Sequence, residues 1–129
     1  MSLPVLNVAT PGGGYPVILG AGARKKLPDL LRGGDAPSRI HIVTDSTVAR
    51  LHLAGLRALL ERQAFPVSVT VVPAGEKSKS IRELTRVWRD GIRAGCDRRA
   101  CLLALGGGVV GDLTGFASAS LLRGVRFIQ

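Results

Sequence analysis

Apolar and polar positions along the chain shift between a period of two and a period near four, which predicts strands alternating with helices. Val5 to Ala9 and Tyr15 to Leu19 read as short strands around Pro11-Gly12-Gly13-Gly14, a hairpin or a simple loop. Ala23 to Leu31 has the pattern of a short helix ended by Gly33-Gly34. Arg39 to Thr44 is an apolar, β-branched strand, and Asp45-Ser46 supplies an N-cap for a helix carrying Val48, Leu51, Leu56, Leu59 and Leu60. Phe65 to Val72 is the next strand, stopped by Pro73-Ala74-Gly75. Ser80-Ile81-Arg82-Glu83 has capping-box spacing. Ile81, Leu84, Val87, Trp88 and Ile92 then recur at the period of a buried helical face, with Gly95 placed as the C′ residue. Ala100 to Leu105, a glycine turn, a helix through Leu122 and a strand from Val125 to Ile128 complete the pattern.

This order predicts an α/β fold, a Rossmann-like parallel sheet with helices on both faces, because parallel strands need crossovers and crossovers are usually helical. Ligands of such sheets bind at the carboxyl ends of the strands, where strand order reverses. Asp45, the Gly75-Glu76 turn and the glycine run each follow directly on a strand, so three polar features converge on one edge. In Leu105-Gly106-Gly107-Gly108-Val109-Val110-Gly111-Asp112 an apolar strand breaks into glycines and then opens a helix. Glycine backbone can lie close against a diphosphate while unpaired N–H groups and the positive helix end face the anion. Gly106, Gly108 and Gly111 also satisfy G-x-G-x-x-G, although a bare strand-to-helix turn would show the same pattern in a chain with 17 glycines. Gly12, Gly13 and Gly14 open no helix and are not read as a phosphate site.

A chain of 129 residues, 46% hydrophobic, is the size of one domain with material for a core. No apolar run is long enough for a membrane helix and no secretion signal opens the chain, so no membrane partner is expected and the cytoplasm is the default location. Cys96 and Cys101 fit two reduced, partly buried thiols better than a disulfide framework or a zinc site. His41 and His52 have no partner at ligand spacing and read as packing or surface histidines. The formal charge of +9 invites nucleic acid or small anions. The basic residues are scattered, the aromatics number only five, and the stripe Arg82, Arg86, Arg89, Arg93 fits a solvated helix face, so small anionic ligands are expected and nucleic acid is not. A basic nucleic-acid-binding module stays the alternative of another class, to be separated by a DNA shift assay and its salt slope. Leu113, Phe116, Leu121 and Leu122 are candidates for an exposed apolar face that would drive self-association.

Four strings together resemble the 3-dehydroquinate synthase family: Pro73-Ala74-Gly75-Glu76-Lys77-Ser78-Lys79-Ser80, Asp97-Arg98-Arg99, the run from Leu105 to Ser118, and Leu122-Arg123-Gly124-Val125. The resemblance runs in order from Asp45 onward and covers that family's amino-terminal, nucleotide-binding domain, so residues 1–129 are expected to form that domain and the carboxy-terminal metal and substrate domain to lie outside the chain. It implies an enzyme that converts 3-deoxy-D-arabino-heptulosonate 7-phosphate to 3-dehydroquinate and phosphate in the shikimate pathway, with NAD and a divalent metal, zinc or cobalt, as cofactors. NAD would oxidise one ring alcohol transiently, phosphate would leave, the hydride would return, and ring opening with an aldol step would close the carbocycle.

Residue by residue, the resemblance implies NAD contacts from Gly106, Gly107, Gly108, Val109, Val110, Gly111 and Asp112, from Gly75, Glu76 and Lys79, and from Asp45 and Thr47. The residues also admit plainer roles: Asp112 as a helix-dipole acid, Glu76 and Lys79 as an i, i+3 surface pair, Asp45 and Thr47 as helix caps. Arg123 is implied to reach the substrate phosphate of the neighbouring subunit in a homodimer, against the plainer role of a helix C-terminal cation. The family's metal ligands and most of its substrate-binding residues are expected beyond Gln129, so the chain by itself is expected to be inactive and to bind NAD weakly. Related sugar-phosphate cyclases, such as 2-deoxy-scyllo-inosose and 2-epi-5-epi-valiolone synthases, and glycerol dehydrogenase-like NAD enzymes are the neighbouring alternatives.

Overall fold

A computed structural model describes residues 2–129. In chain order it contains β1 (Val5–Thr10), β2 (Gly13–Ile18), a 3₁₀ turn (Ala23–Lys26), α1 (Leu27–Arg32), β3 (Ile40–Asp45), α2 (Ser46–Val48) and a π turn (Ala49–Leu53). There follow α3 (Ala54–Arg62), β4 (Val67–Val72), α4 (Ile81–Arg93), β5 (Cys101–Leu105), α5 (Gly108–Ser120) and β6 (Arg126–Ile128). β1 and β2 form an antiparallel hairpin, which resolves the choice left open between a hairpin and a loop. The main sheet is fully parallel in the order β4-β3-β5-β6.

The expected layers are present. Successive residues of a strand face opposite sides, so β3 and β5, covered on both sides, read as unbroken apolar runs. Ile40, Ile42, Cys101 and Leu103 pack with Leu27 and Leu31 of α1 and Leu56 and Leu60 of α3. Val43, Leu102 and Ala104 pack with Leu84 and Val87 of α4 and Val110, Leu113 and Ala117 of α5. α4 ends in a Schellman motif in which Gly95, at φ 95°, donates from its amide to Ile92 O and Cys96 donates to Gly91 O. Gly95 is thus the C′ residue its position predicts.

His41 is a core histidine. Its Nδ1 and Nε2 lie 2.8 Å from Ser68 Oγ and Thr70 Oγ1, and Thr70 Oγ1 donates to Asp90 Oδ2 at 3.0 Å. The single threonine proton goes to the carboxylate, so Nε2 carries hydrogen and donates to Thr70, while Nδ1 accepts from Ser68. Burial lowers the imidazole pKa from 6.5 to about 4, against a smaller opposing pull from Asp90. Both cysteines are buried and free, and desolvation raises the Cys101 thiol to about 12.

Three expectations about packing need correction. On α4 the sheet covers Leu84, Val87 and Gly91, so Ile81 and Ile92 fall on its flank and are 75% and 48% exposed. Leu51 is 63% exposed, whereas Leu53, two positions on, packs on the core. The expected continuous helix is interrupted there by the π turn. Finally, Leu113 and Leu121 are buried against the α4–α5 side, which leaves Phe116 and Leu122 as the exposed pair of the four residues expected to lack cover.

Candidate functional site

Because β4, β3 and β5 are adjacent and parallel, the segments leaving their carboxyl ends meet on one rim. The chain steps from β3 out to β4 and then returns past β3 to β5, so strand order reverses between β3 and β5 and a crevice opens there. Its floor is tied by Thr44, buried at the end of β3, whose hydroxyl donates to Leu105 O at 2.6 Å.

The glycine run divides into two kinds of position. A Cβ on Gly106 would lie 2.9 Å from Cβ and Cγ2 of Val110, so this glycine makes room for a core side chain. Gly107 and Gly108 are exposed, and a Cβ on either would meet nothing within 4 Å. Gly107 is the N-cap of α5 and offers no side chain to the first-turn amides. The helix starting at α2 is capped by Asp45 and α4 by Ser80, which accepts from Glu83 N at 3.3 Å. The first-turn N–H groups of α5 therefore face the crevice with no side-chain acceptor. Val110 and Gly111 are buried; a Cβ on Gly111 would first meet the flexible Gln129 side chain, with Oε1 at 3.0 Å. Val109 is half-buried between these groups.

The turn after β4 is shaped by Gly75, at φ 107°, and by the buried Ser78, whose hydroxyl donates to Pro73 O. Lys79 leaves this turn and places Nζ 2.9 Å from Asp112 Oδ2 and 3.6 Å from Glu76 Oε2. The ammonium thus bridges the β4 turn and α5, and the Asp112 carboxylate, followed by Glu76, raises its pKa. Across the crevice Asp45 Oδ1 accepts from Thr47 N at 2.9 Å and Val48 N at 2.8 Å, so it is a helix cap; the Thr47 side chain is exposed.

Eleven of the residues singled out from the sequence, from Asp45 through Glu76 and Lys79 to the glycine run and Asp112, stand on or support this one rim, with Thr47 beside them. Arg123 does not: it follows the far end of α5, about 20 Å from Gly108 at 1.5 Å per residue, exposed and at φ 69°. Thr44 and Ser78 were missed by the sequence reading. The available signal was a hydroxyl at the last inward position of a strand and another inside a glycine-bearing turn. Among the described residues, no three His, Cys, Asp or Glu side chains are placed together to hold a metal ion.

Residues 69–129 match the family model described as 3-dehydroquinate synthase N-terminal. The chain is 46% identical over 117 residues to the 3-dehydroquinate synthase of Geobacillus kaustophilus, covering 89% of this chain and 32% of that protein. It is 43% identical over 127 residues to that of Bordetella pertussis, covering 98% of this chain and 35% of the relative. The chain therefore spans about a third of the length of these relatives. Among solved structures, 2-deoxy-scyllo-inosose synthase complexed with carbaglucose-6-phosphate, NAD+ and Co2+ superposes with a TM-score of 0.86 at 19% identity, over 96% of this chain and 33% of that one, a likeness of fold. The 2-epi-5-epi-valiolone synthase of Streptomyces hygroscopicus, with NAD+ and Zn2+ bound, gives 0.63 at 31% identity over 78% of this chain and 29% of that one.

Proposed function

By its sequence the chain belongs to the 3-dehydroquinate synthase family, and we propose that residues 1–129 form the dinucleotide-binding part of such an enzyme, holding NAD on the rim of β4, β3 and β5. The observation that carries this reading is the uncapped start of α5 beneath two glycines with open space above them.

In this reading the diphosphate rests on Gly107 and Gly108 and accepts from the first-turn amides of α5, where the helix dipole favours negative charge. Gly106 and Val110 keep the turn low enough for that approach. Asp45 and Glu76 offer carboxylate oxygens to ribose hydroxyls, and Lys79 passes from its carboxylate partners to the anionic ligand. When bound, NAD supplies reversible hydride acceptance from a substrate alcohol. The whole enzyme would be a carbon–oxygen lyase that converts 3-deoxy-D-arabino-heptulosonate 7-phosphate to 3-dehydroquinate and phosphate. Its metal centre and most of its substrate contacts would come from residues other than those of this chain, acting as a homodimer in which Arg123 serves the neighbouring subunit.

The test is Gly107→Val. Gly107 has φ −87° and ψ −158°, which any residue can adopt, and its Cβ direction is empty, so the variant folds while its isopropyl group fills the diphosphate position. Calorimetric titration is expected to show NAD binding weakened about tenfold or more in the variant, while the free variant stays folded with a melting temperature only a few degrees lower, because valine is a poorer N-cap than glycine. Wild-type affinity in Gly107→Val, or no NAD binding by the native chain at millimolar concentration, overturns the reading.

A further inference from the structure

The crevice between β3 and β5 has a second wall, built from residues the dinucleotide reading does not use. On the α1–α3 side of the sheet, Gly20, Gly22, Arg24, Lys25, His52 and Leu105 line a cavity of about 590 Å3. Leu105 packs against the core cluster of that side, and the glycine run starts at the next residue, so the cavity and the glycine turn open on neighbouring stretches of one rim.

The loop is shaped to present its cations. Gly20 at φ 123° and Gly22 at φ 86° adopt a backbone conformation that suits glycine, and they fold the chain into two successive turns, Ala23 N to Gly20 O at 3.1 Å and Lys25 N to Gly22 O at 2.9 Å. These turns set Arg24 and Lys25 side by side on the cavity edge. The Arg24 guanidinium lies against α3 at Gly55, with both terminal nitrogens 3.6 Å from the position a Cβ would take. His52, on the π turn, lines the same cavity. No carboxylate lines the cavity, and neither Arg24 nor Lys25 belongs to an ion pair among the described residues.

The geometry points to a phosphate-monoester site in this cavity, distinct from the seat of the dinucleotide. A planar guanidinium fork matches two phosphate oxygens, an ammonium supplies a mobile point charge, and an imidazole supplies a further ring nitrogen. Two adjacent cations suit a dianion better than a single carboxylate. The cavity is open to solvent, and its volume leaves room for a sugar phosphate as well as for free phosphate.

The test is an amide NMR titration of this chain with inorganic phosphate and, separately, glycerol 3-phosphate, each at ionic strength held constant with chloride. Saturable shifts are expected at Gly20, Gly22, Arg24, Lys25 and His52, with affinity about tenfold or more weaker in the exposed double variant Arg24→Gln/Lys25→Gln. Tighter binding of glycerol 3-phosphate supports an ester as occupant, and tighter binding of inorganic phosphate supports the free anion. Shifts that never saturate, that centre on Gly107 and Gly108, or that persist at native affinity in the double variant overturn the site. A second titration of the double variant with NAD tests whether the site is distinct: native NAD shifts at Gly106 to Gly108 support it, and their loss would place Arg24 and Lys25 in the dinucleotide's seat and overturn the inference, whereas failure of the native chain to shift with NAD would count against the dinucleotide reading alone.

Discussion

The imidazole of His41 shows how a single buried group can make the whole fold sensitive to pH. It is 1% exposed and its two ring nitrogens are committed to hydroxyls, so adding a proton would force the Ser68 bond to reverse direction and charge a dry site. Above about pH 6.5 the ring is neutral in both folded and unfolded chains and contributes no slope. Between there and about pH 4 the unfolded chain binds a proton that the folded chain refuses, so stability falls as pH falls; below that both are protonated and the loss stops growing. At about 1.4 kcal/mol per pH unit the accumulated loss is roughly 3 kcal/mol. Urea unfolding of the native chain and of His41→Asn between about pH 7 and pH 4 measures it: the native chain should lose more than the variant by about that amount, and parallel curves would remove His41 as the cause. The sequence showed a histidine in a strand. It could not show Thr70 and Asp90, because their proximity depends on β3 pairing with β4 and on α4 folding back over both.

At the level of elements, much of the architecture was legible because local signals agreed. Asp45, Ser80 and Gly95 punctuate helices by chemistry that operates within a few residues, and the structure uses each as its position predicts. The misplaced residues are those whose environment is set by a neighbour: Ile81, Ile92 and Leu51 fit an apolar list, yet the covering sheet or helix reaches only part of that stripe. The rim itself was legible since turn chemistry marks strand ends; the split of the glycine run into packing and open positions was not, because it depends on where Val110 falls within the first turn of α5. Asp45 carries both a structural and a proposed ligand role, and two substitutions separate them. Asp45→Ala removes the acceptor for two amides and should cost about 1 kcal/mol, while Asp45→Asn keeps an oxygen cap and should stay within a few tenths. If the carboxylate also binds ribose, Asp45→Asn weakens NAD while its unfolding midpoint stays native; equal NAD affinity in that variant leaves Asp45 as a cap alone.

Across the whole molecule, charge and packing are unevenly spread. The excess of 18 basic over 9 acidic side chains favours anionic ligands at long range. Part of the α4 stripe is already answered locally, since Arg86 meets Glu83 at 3.1 Å and Arg89 meets Asp90 at 3.5 Å. Packing is concentrated on the four-stranded sheet, where β3 and β5 are buried on both faces and held by helices from each side. The β1–β2 hairpin has no such support: its strands pair with one another, make only sparse contacts elsewhere, and leave Val5, Leu6 and Tyr15 more than half exposed. A two-stranded hairpin is at best marginally stable in water, so its opening should cost far less than global unfolding. Native-state hydrogen exchange of this chain should therefore find the β1 and β2 amides exchanging through local opening at low free energy, independent of denaturant, while those of Ile42, Val43, Leu102 and Leu103 exchange only with global unfolding. Equal protection in the two sets would mean that the hairpin is docked onto another surface in solution, and the division of the molecule into a rigid sheet with its helices and a loosely held hairpin would fail.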